Sequence, residues 1–163
     1  MSATVRPVER RDLPRVWELV GELAAYERLS HFLTGSRERL GALLFDRPGA
    51  LEGRVAETDG RIVGYALFFP IYSSFRTTER MWLEDLYVEP SARGTGAGRE
   101  LLAHLARLAL ERGCDRLDWY VLDWNQLAIE FYRRQGATKA EIDWLPYGMD
   151  LGALRKLAEA TST

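Results

Sequence analysis

Between Arg93 and Arg99 the chain reads Arg93-Gly94-Thr95-Gly96-Ala97-Gly98-Arg99, with glycine at alternate positions where a β-prone run gives way to a helix-prone one. Removing side chains from such a junction lets consecutive backbone N–H groups converge on one anion at the positive end of the following helix, and a pyrophosphate is a natural guest. Two better-known phosphate loops are excluded. An ATPase loop closes on Gly-Lys-Ser/Thr, and the dinucleotide fingerprint needs glycine where Arg99 stands. Glycine also serves purely structural turns, so the loop alone leaves a tight turn and a phosphate site as equal readings. The flanking residues decide between them.

Around the loop the chain alternates strand and helix signals. Thr4 to Val8 reads as a short strand. Asp12 is placed to cap a helix whose apolar positions Leu13, Val16, Trp17, Val20, Leu23 and Ala24 recur at helical spacing. A second helix is expected over Ser36 to Phe45. Leu51 to Thr58 and Arg61 to Tyr72 read as strands joined by Asp59-Gly60, a strong hairpin signal. Arg80 to Val88 is a further strand, stopped by Pro90, and a long helix runs from about Gly98 to Arg112. Leu117 to Leu122 reads as a strand, Asn125 to Gln135 as a helix closed by Gly136, and the remainder as a strand and a short helix near Leu154. The expected fold is mixed α/β, antiparallel first and βαβ-like later. With 163 residues, 47% of them hydrophobic, and no linker or repeat, residues 1–163 are expected to form one domain.

Before the loop stands Leu83-Glu84-Asp85-Leu86-Tyr87-Val88-Glu89-Pro90. After it comes Trp124-Asn125-Gln126-Leu127-Ala128-Ile129-Glu130-Phe131-Tyr132-Arg133-Arg134-Gln135-Gly136-Ala137. With these neighbours the sequence resembles the GNAT acetyltransferases. That family carries an Arg/Gln-x-x-Gly-x-Gly/Ala loop, matched by Arg93, Gly96 and Gly98, after a strand ending in Leu-x-Val-x-Pro. Later come an Asn and a Phe-Tyr-x-x-x-Gly helix. Within the family the likeness is to the diamine/polyamine (spermidine/spermine) and thialysine acetyltransferases, which share similar Tyr-Glu, Leu-Glu-Asp and Trp-Asn segments. It runs from about Val5 to about Ala158.

The resemblance implies a GNAT fold: a mixed, mostly antiparallel sheet with flanking helices and a splayed strand pair that holds acetyl-CoA. The backbone of Leu86, Tyr87 and Val88 would pair with the pantetheine arm. The segment Arg93, Gly94, Thr95, Gly96, Ala97, Gly98 and Arg99 would cradle the pyrophosphate, with Asn125 lining the cofactor's other side. The splayed end of a strand leaves N–H and C=O groups that an amide-bearing arm satisfies, which agrees with this assignment.

Acetyl transfer to an amine needs a neutral nitrogen, a donor for the developing oxyanion, and a proton for the departing thiolate. By the resemblance, Tyr132 is the general acid. A phenol of pKa about 10 stays protonated at neutral pH and donates to a thiolate whose conjugate acid lies near about 8.5. The alternative for Tyr132 is an aromatic step on a helix packed into the core. A backbone N–H on the Leu86 strand is the expected oxyanion donor. Glu84 is the candidate for helping remove the amine's proton, since alternation sets it on the face of Leu86 and points Asp85 the other way. A carboxylate near about 4.3 is mismatched to an ammonium near about 10.4, a gap worth about 8 kcal/mol, so a water relay or an amine depressed by burial is expected. A surface ion pair is the other reading of Glu84.

Tyr26 and Glu27 match a family segment that contacts the acceptor, although a helix-end Tyr-Glu is also common as solvated structure. A polycationic acceptor calls for acidic side chains, and Glu27, Glu84, Asp85, Glu141 and Asp143 are the candidates, with Trp144 beside them. The polyamine enzymes carry an acidic pair and a glycine before that tryptophan, where this chain reads Glu141-Ile142-Asp143-Trp144. A diamine, thialysine, another amino-acid-like amine and a peptide N-terminus therefore all stay open as acceptors. So does a module that binds acetyl-CoA without turnover.

Charge is nearly balanced, 22 Lys+Arg against 24 Asp+Glu, which argues against a nucleic-acid partner. Cys114, the single cysteine, gives no disulfide framework and reads as a buried structural thiol in a cytoplasmic protein. The N-terminus lacks an apolar h-region and no apolar run is long enough to span a bilayer, so no export or membrane partner is expected. His31 and His104 lack ligand spacing, and no metal is expected. Trp119, Tyr120 and Trp124 are expected in core or interface. The family is commonly dimeric, and a homodimer using Trp144 and Tyr147 is the expectation.

Overall fold

In the computed structural model, which describes residues 3–140 and 146–160, the Asp59-Gly60 pair turns the chain as its residue types dictate. Both residues take positive φ, +52° and +76°, and join β2 (Glu52–Thr58) to β3 (Arg61–Ser73). The twin positive φ values match the twist of the two strands they connect. With β1 (Thr4–Pro7), β4 (Thr78–Val88) and β5 (Leu117–Asp118), these strands form a sheet of order β1-β2-β3-β4-β5. The first three pairings are antiparallel. β4 and β5 are parallel, joined through α3 (Ala97–Glu111), so the mixed, mostly antiparallel α/β fold is as expected.

The described chain falls into two units, Met1–Gln126 and Leu127–Thr163. In the first, one face of the sheet packs on α1 (Leu13–Tyr26), where Val16 and Leu19 meet Val55, Ile62, Tyr65, Leu67 and Tyr87. Leu19, outside the periodic set read from sequence, is 0% exposed. On α3, Leu101 and Leu105 are likewise buried. A short helix α2 (Arg37–Gly41), capped by the Ser36 hydroxyl, widens into a π-helical turn over Ala42–Asp46. The second unit holds most of α4 (Gln126–Arg134) and all of α5 (Leu151–Ala160), whose first turn is capped by Asp150 Oδ1 at 2.8 Å from the Ala153 amide. α4 ends as Gly136 predicts, with the Ala137 and Gly136 amides returning to Tyr132 and Arg133.

Several expectations are corrected. Asp12 does not cap α1 with its side chain; it ends a 3-10 turn, Arg10–Asp12, and its carboxylate takes the Arg6 fork at 2.6 and 3.0 Å and the Glu9 amide at 2.8 Å. The Arg6 guanidinium and the Glu9 amide hold that carboxyl below its usual pKa against the opposing effect of burial. The strand expected over Leu117 to Leu122 covers only Leu117–Asp118. Its cause lies on β4, where the β3 register passes from Leu67↔Asp85 to Phe68↔Leu83 and leaves Glu84 as an extra residue. A bulge bends and twists its strand, and β4 leaves β5 right after the Trp82↔Asp118 pair. The late strand finds no counterpart over residues 137–140 and 146–150, and residues 141–145 lie outside those described.

Candidate active site

Gly94 and Gly96 adopt φ of +80° and +96°, and Gly96 is the N-cap of α3. A Cβ at either position would meet nothing within 4 Å, so the glycines are needed for backbone conformation and the space above them is open. The first intrahelical bond runs from the Glu100 amide to the Gly96 carbonyl at 3.0 Å. The amides of Ala97, Gly98 and Arg99 precede it and have no partner within the helix. Thr95 turns its hydroxyl back onto the Ala92 carbonyl at 2.7 Å and steadies the turn. The turn thus sets helix-start amides beside open space at Gly94 and Gly96, which suits a pyrophosphate.

β4 supplies the second element. Its described pairs with β5 are Met81↔Leu117 and Trp82↔Asp118, so Leu83 to Val88 run on past the end of β5. The Glu89 amide bonds the Val63 carbonyl on β3 at 2.9 Å. By alternation, the N–H and C=O groups of Leu86 and Val88 face the open edge, away from β3. Arg93 Nε occupies the Val88 carbonyl at 3.0 Å, while among the described residues no strand pairs with the Leu86 groups and the Val88 amide on that side, which suits an extended amide-bearing ligand.

The register also corrects the reading of Glu84 and Asp85. As the bulge residue, Glu84 escapes the alternation that was to place it with Leu86; it is exposed and accepts Trp82 Nε1 at 2.9 Å. Asp85 does lie opposite to Leu86, but that direction is into the α1 face. There it keeps only a partial opening to solvent and accepts the Tyr65 hydroxyl at 3.1 Å. Burial pushes the Asp85 carboxyl up to about 6; the Tyr65 hydrogen bond pulls it back, and Glu84 and Glu27 push it further up. Burial also raises Glu27, just past the end of α1. Tyr65, 0% exposed, has its phenol held well above the ordinary range by burial and then by Asp85.

Tyr26 links these parts. Its hydroxyl donates to Asn125 Oδ1 at 3.1 Å, and its ring lies 6.1 Å from Trp124, which Arg28 covers at 5.1 Å. Asn125 is 7% exposed. Arg93 does not reach outward: its guanidinium lies over Tyr26 at 4.9 Å and Tyr87 at 5.6 Å. Tyr87 in turn bonds Glu22 at 3.2 Å. Behind the loop Glu89, 5% exposed, gathers Arg61, Arg15 at 2.5 Å and Ser91 at 2.7 Å. The first unit therefore brings together Tyr26, Glu27, Glu84, Asp85, the Leu86–Val88 edge, the loop and Asn125.

Tyr132 stands on α4 in the second unit, half-buried, with its ring edge-on to Phe131 at 5.2 Å. Glu141, Asp143 and Trp144 lie outside the described residues. Cys114 is buried and its thiol pKa is raised by burial, which disfavours a nucleophilic thiolate. His104 accepts Arg54 Nε at 3.1 Å and its pKa is lowered, chiefly by burial, while His31 packs on Phe32 at 4.3 Å. Among the described residues no cluster of three metal-ligating side chains occurs, and no helix is long and apolar enough to cross a membrane. Tyr120 and Trp124, expected in core or interface, are exposed, Tyr120 lying edge-on to Trp82 at 4.7 Å. Tyr65 and the Glu89 cluster were missed from sequence. A tyrosine in a continuous apolar run and a glutamate before proline carry no signal of their partners.

The acetyltransferase (GNAT) family matches residues 16–137. The chain is 34% identical over 168 residues to the thialysine N-epsilon-acetyltransferase of Mus musculus, across 96% of this chain and 98% of that protein. It is 30% identical over 140 residues to the spermidine/spermine N(1)-acetyltransferase-like protein 1 of Homo sapiens, across 82% of this chain and 20% of that one. An integron cassette protein from the mobile metagenome of V. cholerae superposes with a TM-score of 0.75 at 27% identity, covering 98% of this chain and 99% of its own.

Proposed function

This chain belongs to the acetyltransferase (GNAT) family and is an N-acetyltransferase; from that premise we propose that it moves acetyl from acetyl-CoA to a primary amine of a small thialysine-like or diamine-like cation. The observation that carries the acceptor class is the trio Glu27, Glu84 and Asp85. None of the three has a basic partner among the described residues, and at least two are drawn toward the uncharged form by burial. A cationic amine supplies the charge they lack. The edge at Leu86 and Val88 and the helix-start amides beside the open space at Gly94 and Gly96 fit the pantetheine arm and the pyrophosphate.

In this reading acetyl-CoA supplies the acetyl group as a thioester. The acceptor first loses a proton along a water path oriented by Glu84 and Asp85. Its neutral nitrogen then attacks the carbonyl carbon in a ternary complex, and the Leu86 amide receives the developing oxyanion. The C–N bond forms as the C–S bond breaks, and the Tyr132 phenol gives its proton to the departing thiolate. The proton shed by the nitrogen restores the phenol through solvent. Net, an ammonium and acetyl-CoA give an amide, CoA thiol and one proton. Tyr26 and Trp144 would flank the acceptor. We read residues 1–163 as one catalytic domain of a cytoplasmic homodimer, supported by the single, buried cysteine and by the exposure of Tyr147.

Thiol release from acetyl-CoA across thialysine, spermidine, putrescine, lysine and a short peptide at mildly alkaline pH tests the proposal. Turnover is expected on thialysine or a diamine. Turnover confined to the peptide overturns the acceptor class, and CoA binding without turnover on any amine overturns the transfer.

A further inference from the structure

We infer that Tyr65 is a positioning residue for the acceptor amine, acting through Asp85. The inference rests on the acetyltransferase reading above and concerns its acceptor half. Tyr65 sits in the wholly buried stretch of β3 from Ile62 to Phe68, where a phenylalanine would fill the same space. A hydroxyl buried there is costly unless it is bonded, and this one is spent on Asp85 Oδ2 at 3.1 Å. Tyr65 faces Tyr87 and Leu67 faces Asp85 across the β3–β4 pair, so Tyr65 and Asp85 are diagonal neighbours on the α1 face.

The rest of the surroundings define what the bond is for. Facing Asp85 are Tyr65 from β3, Glu84 beside it on β4 and Glu27 past the end of α1. Tyr87, with Arg93 over its ring, stands next to Tyr65. Asp85 forms no ion pair with any described base: Arg93 is committed to Val88 and the two tyrosine rings. A structural carboxylate in such a place would be expected to carry an arginine or lysine, as Asp12 and Glu89 do. Here a neutral donor fixes one oxygen without cancelling the charge. The other oxygen, on a residue that is not fully buried, is left for a cation that arrives from outside.

The test measures log(kcat/KM) for thialysine against pH for the wild type, Tyr65→Phe, Asp85→Asn and the double variant, with KM for acetyl-CoA alongside. The amine's own ionisation gives a steady rise with pH, and the Asp85 carboxylate adds a bend. In Tyr65→Phe, kcat/KM for the amine is expected to fall about tenfold while KM for acetyl-CoA stays within about twofold. The bend moves to higher pH, because the bond favouring the charged form is gone. Asp85→Asn loses the bend, and adding Tyr65→Phe to it costs no more. An unmoved bend in Tyr65→Phe, or a further equal loss in the double variant, overturns this inference and leaves the acetyltransferase reading standing. Failure of the wild type on every amine overturns that reading, and this inference with it.

Discussion

The Arg93 guanidinium lies 4.9 Å over the ring of Tyr26 while its Nε donates to the Val88 carbonyl at 3.0 Å, so one side chain ties the start of the glycine loop to the end of β4 and the end of α1. A family pattern assigns that arginine to phosphate, yet its position makes it a brace for the loop. The loop's backbone amides are then set relative to the open edge of β4 before any ligand arrives, which lowers the ordering cost of binding.

Replacing this brace is expected to loosen the loop more than the acceptor side, which it meets only through the Tyr26 ring. Arg93→Met keeps the stem over the rings and removes both the charge-assisted bond and the cation–π contact. KM for acetyl-CoA should rise about tenfold, as expected for a hydrogen bond to a charged group, with a smaller change in KM for the amine. Initial-rate kinetics with each substrate varied in turn read the split.

Gly96→Ala tests backbone conformation in isolation, because open space rather than a neighbour lies above that position. At φ +96° an alanine costs about 1–2 kcal/mol, and relief of that strain turns the N-cap and its amides away from the anion. Calorimetric titration with CoA is expected to show affinity reduced about tenfold or more, and urea unfolding a loss of about 1 kcal/mol.

The Gly96 substitution rests on a backbone turn that was legible in the sequence: alternate glycines at a strand-to-helix junction have few backbone solutions. The hairpin at Asp59-Gly60 and the stop at Gly136 were legible for the same reason, since a residue type that fixes φ announces itself locally. What stayed hidden depends on pairing between strands. Glu84 looks like any alternating strand residue, and only the β3 register shows it as a bulge that shortens β5 and opens the edge at Leu86. Asp85 and Tyr65 are 20 positions apart, and Arg15 and Glu89 are 74 apart, distances over which no local pattern carries information.

Glu89 binds the back of the loop to the rest of the first unit. Its carboxylate is buried against Arg15 from α1, Arg61 from the β2–β3 hairpin and Ser91. Glu89→Ala removes the buried partner of Arg15, leaves that arginine to Glu18, Glu22 and the Ile62 carbonyl, and should cost about 2 kcal/mol in urea unfolding. Because Arg61 is largely exposed and can rehydrate, the coupling lies mainly with Arg15, and Arg15→Met should cost less in the Glu89→Ala chain than it does alone. Additive losses from the two changes would show that the cluster is not a coupled unit.

Tyr132→Phe removes only a hydroxyl. If Tyr132 is the acid that meets the thiolate, kcat should drop by about 10² to 10⁴ with CoA affinity unchanged, and the alkaline limb of the rate profile should disappear. A helix-packing role for the ring predicts near-full activity, since the phenylalanine keeps the edge-on contact with Phe131.

Asp85→Asn sets function against stability. In the folded protein the Asp85 carboxyl titrates at about 6, raised by burial from its ordinary 3.8, so the folded state holds its proton more tightly than the unfolded chain does. For an acid raised in this way, stability is fully present below the unfolded pKa and is lost as pH climbs through the folded one. Between pH 4 and pH 7 the wild type therefore gives up about 2 kcal/mol as this group ionises inside the α1 face. Asparagine carries no such charge, and its amide oxygen still accepts the Tyr65 hydroxyl. Urea unfolding at pH 8 should find Asp85→Asn more stable than the wild type by about 2 kcal/mol, with the advantage vanishing near pH 4. Turnover of the amine should meanwhile be largely lost. A gain independent of pH would mean that the substitution improves packing alone, and the buried negative charge would no longer account for the difference.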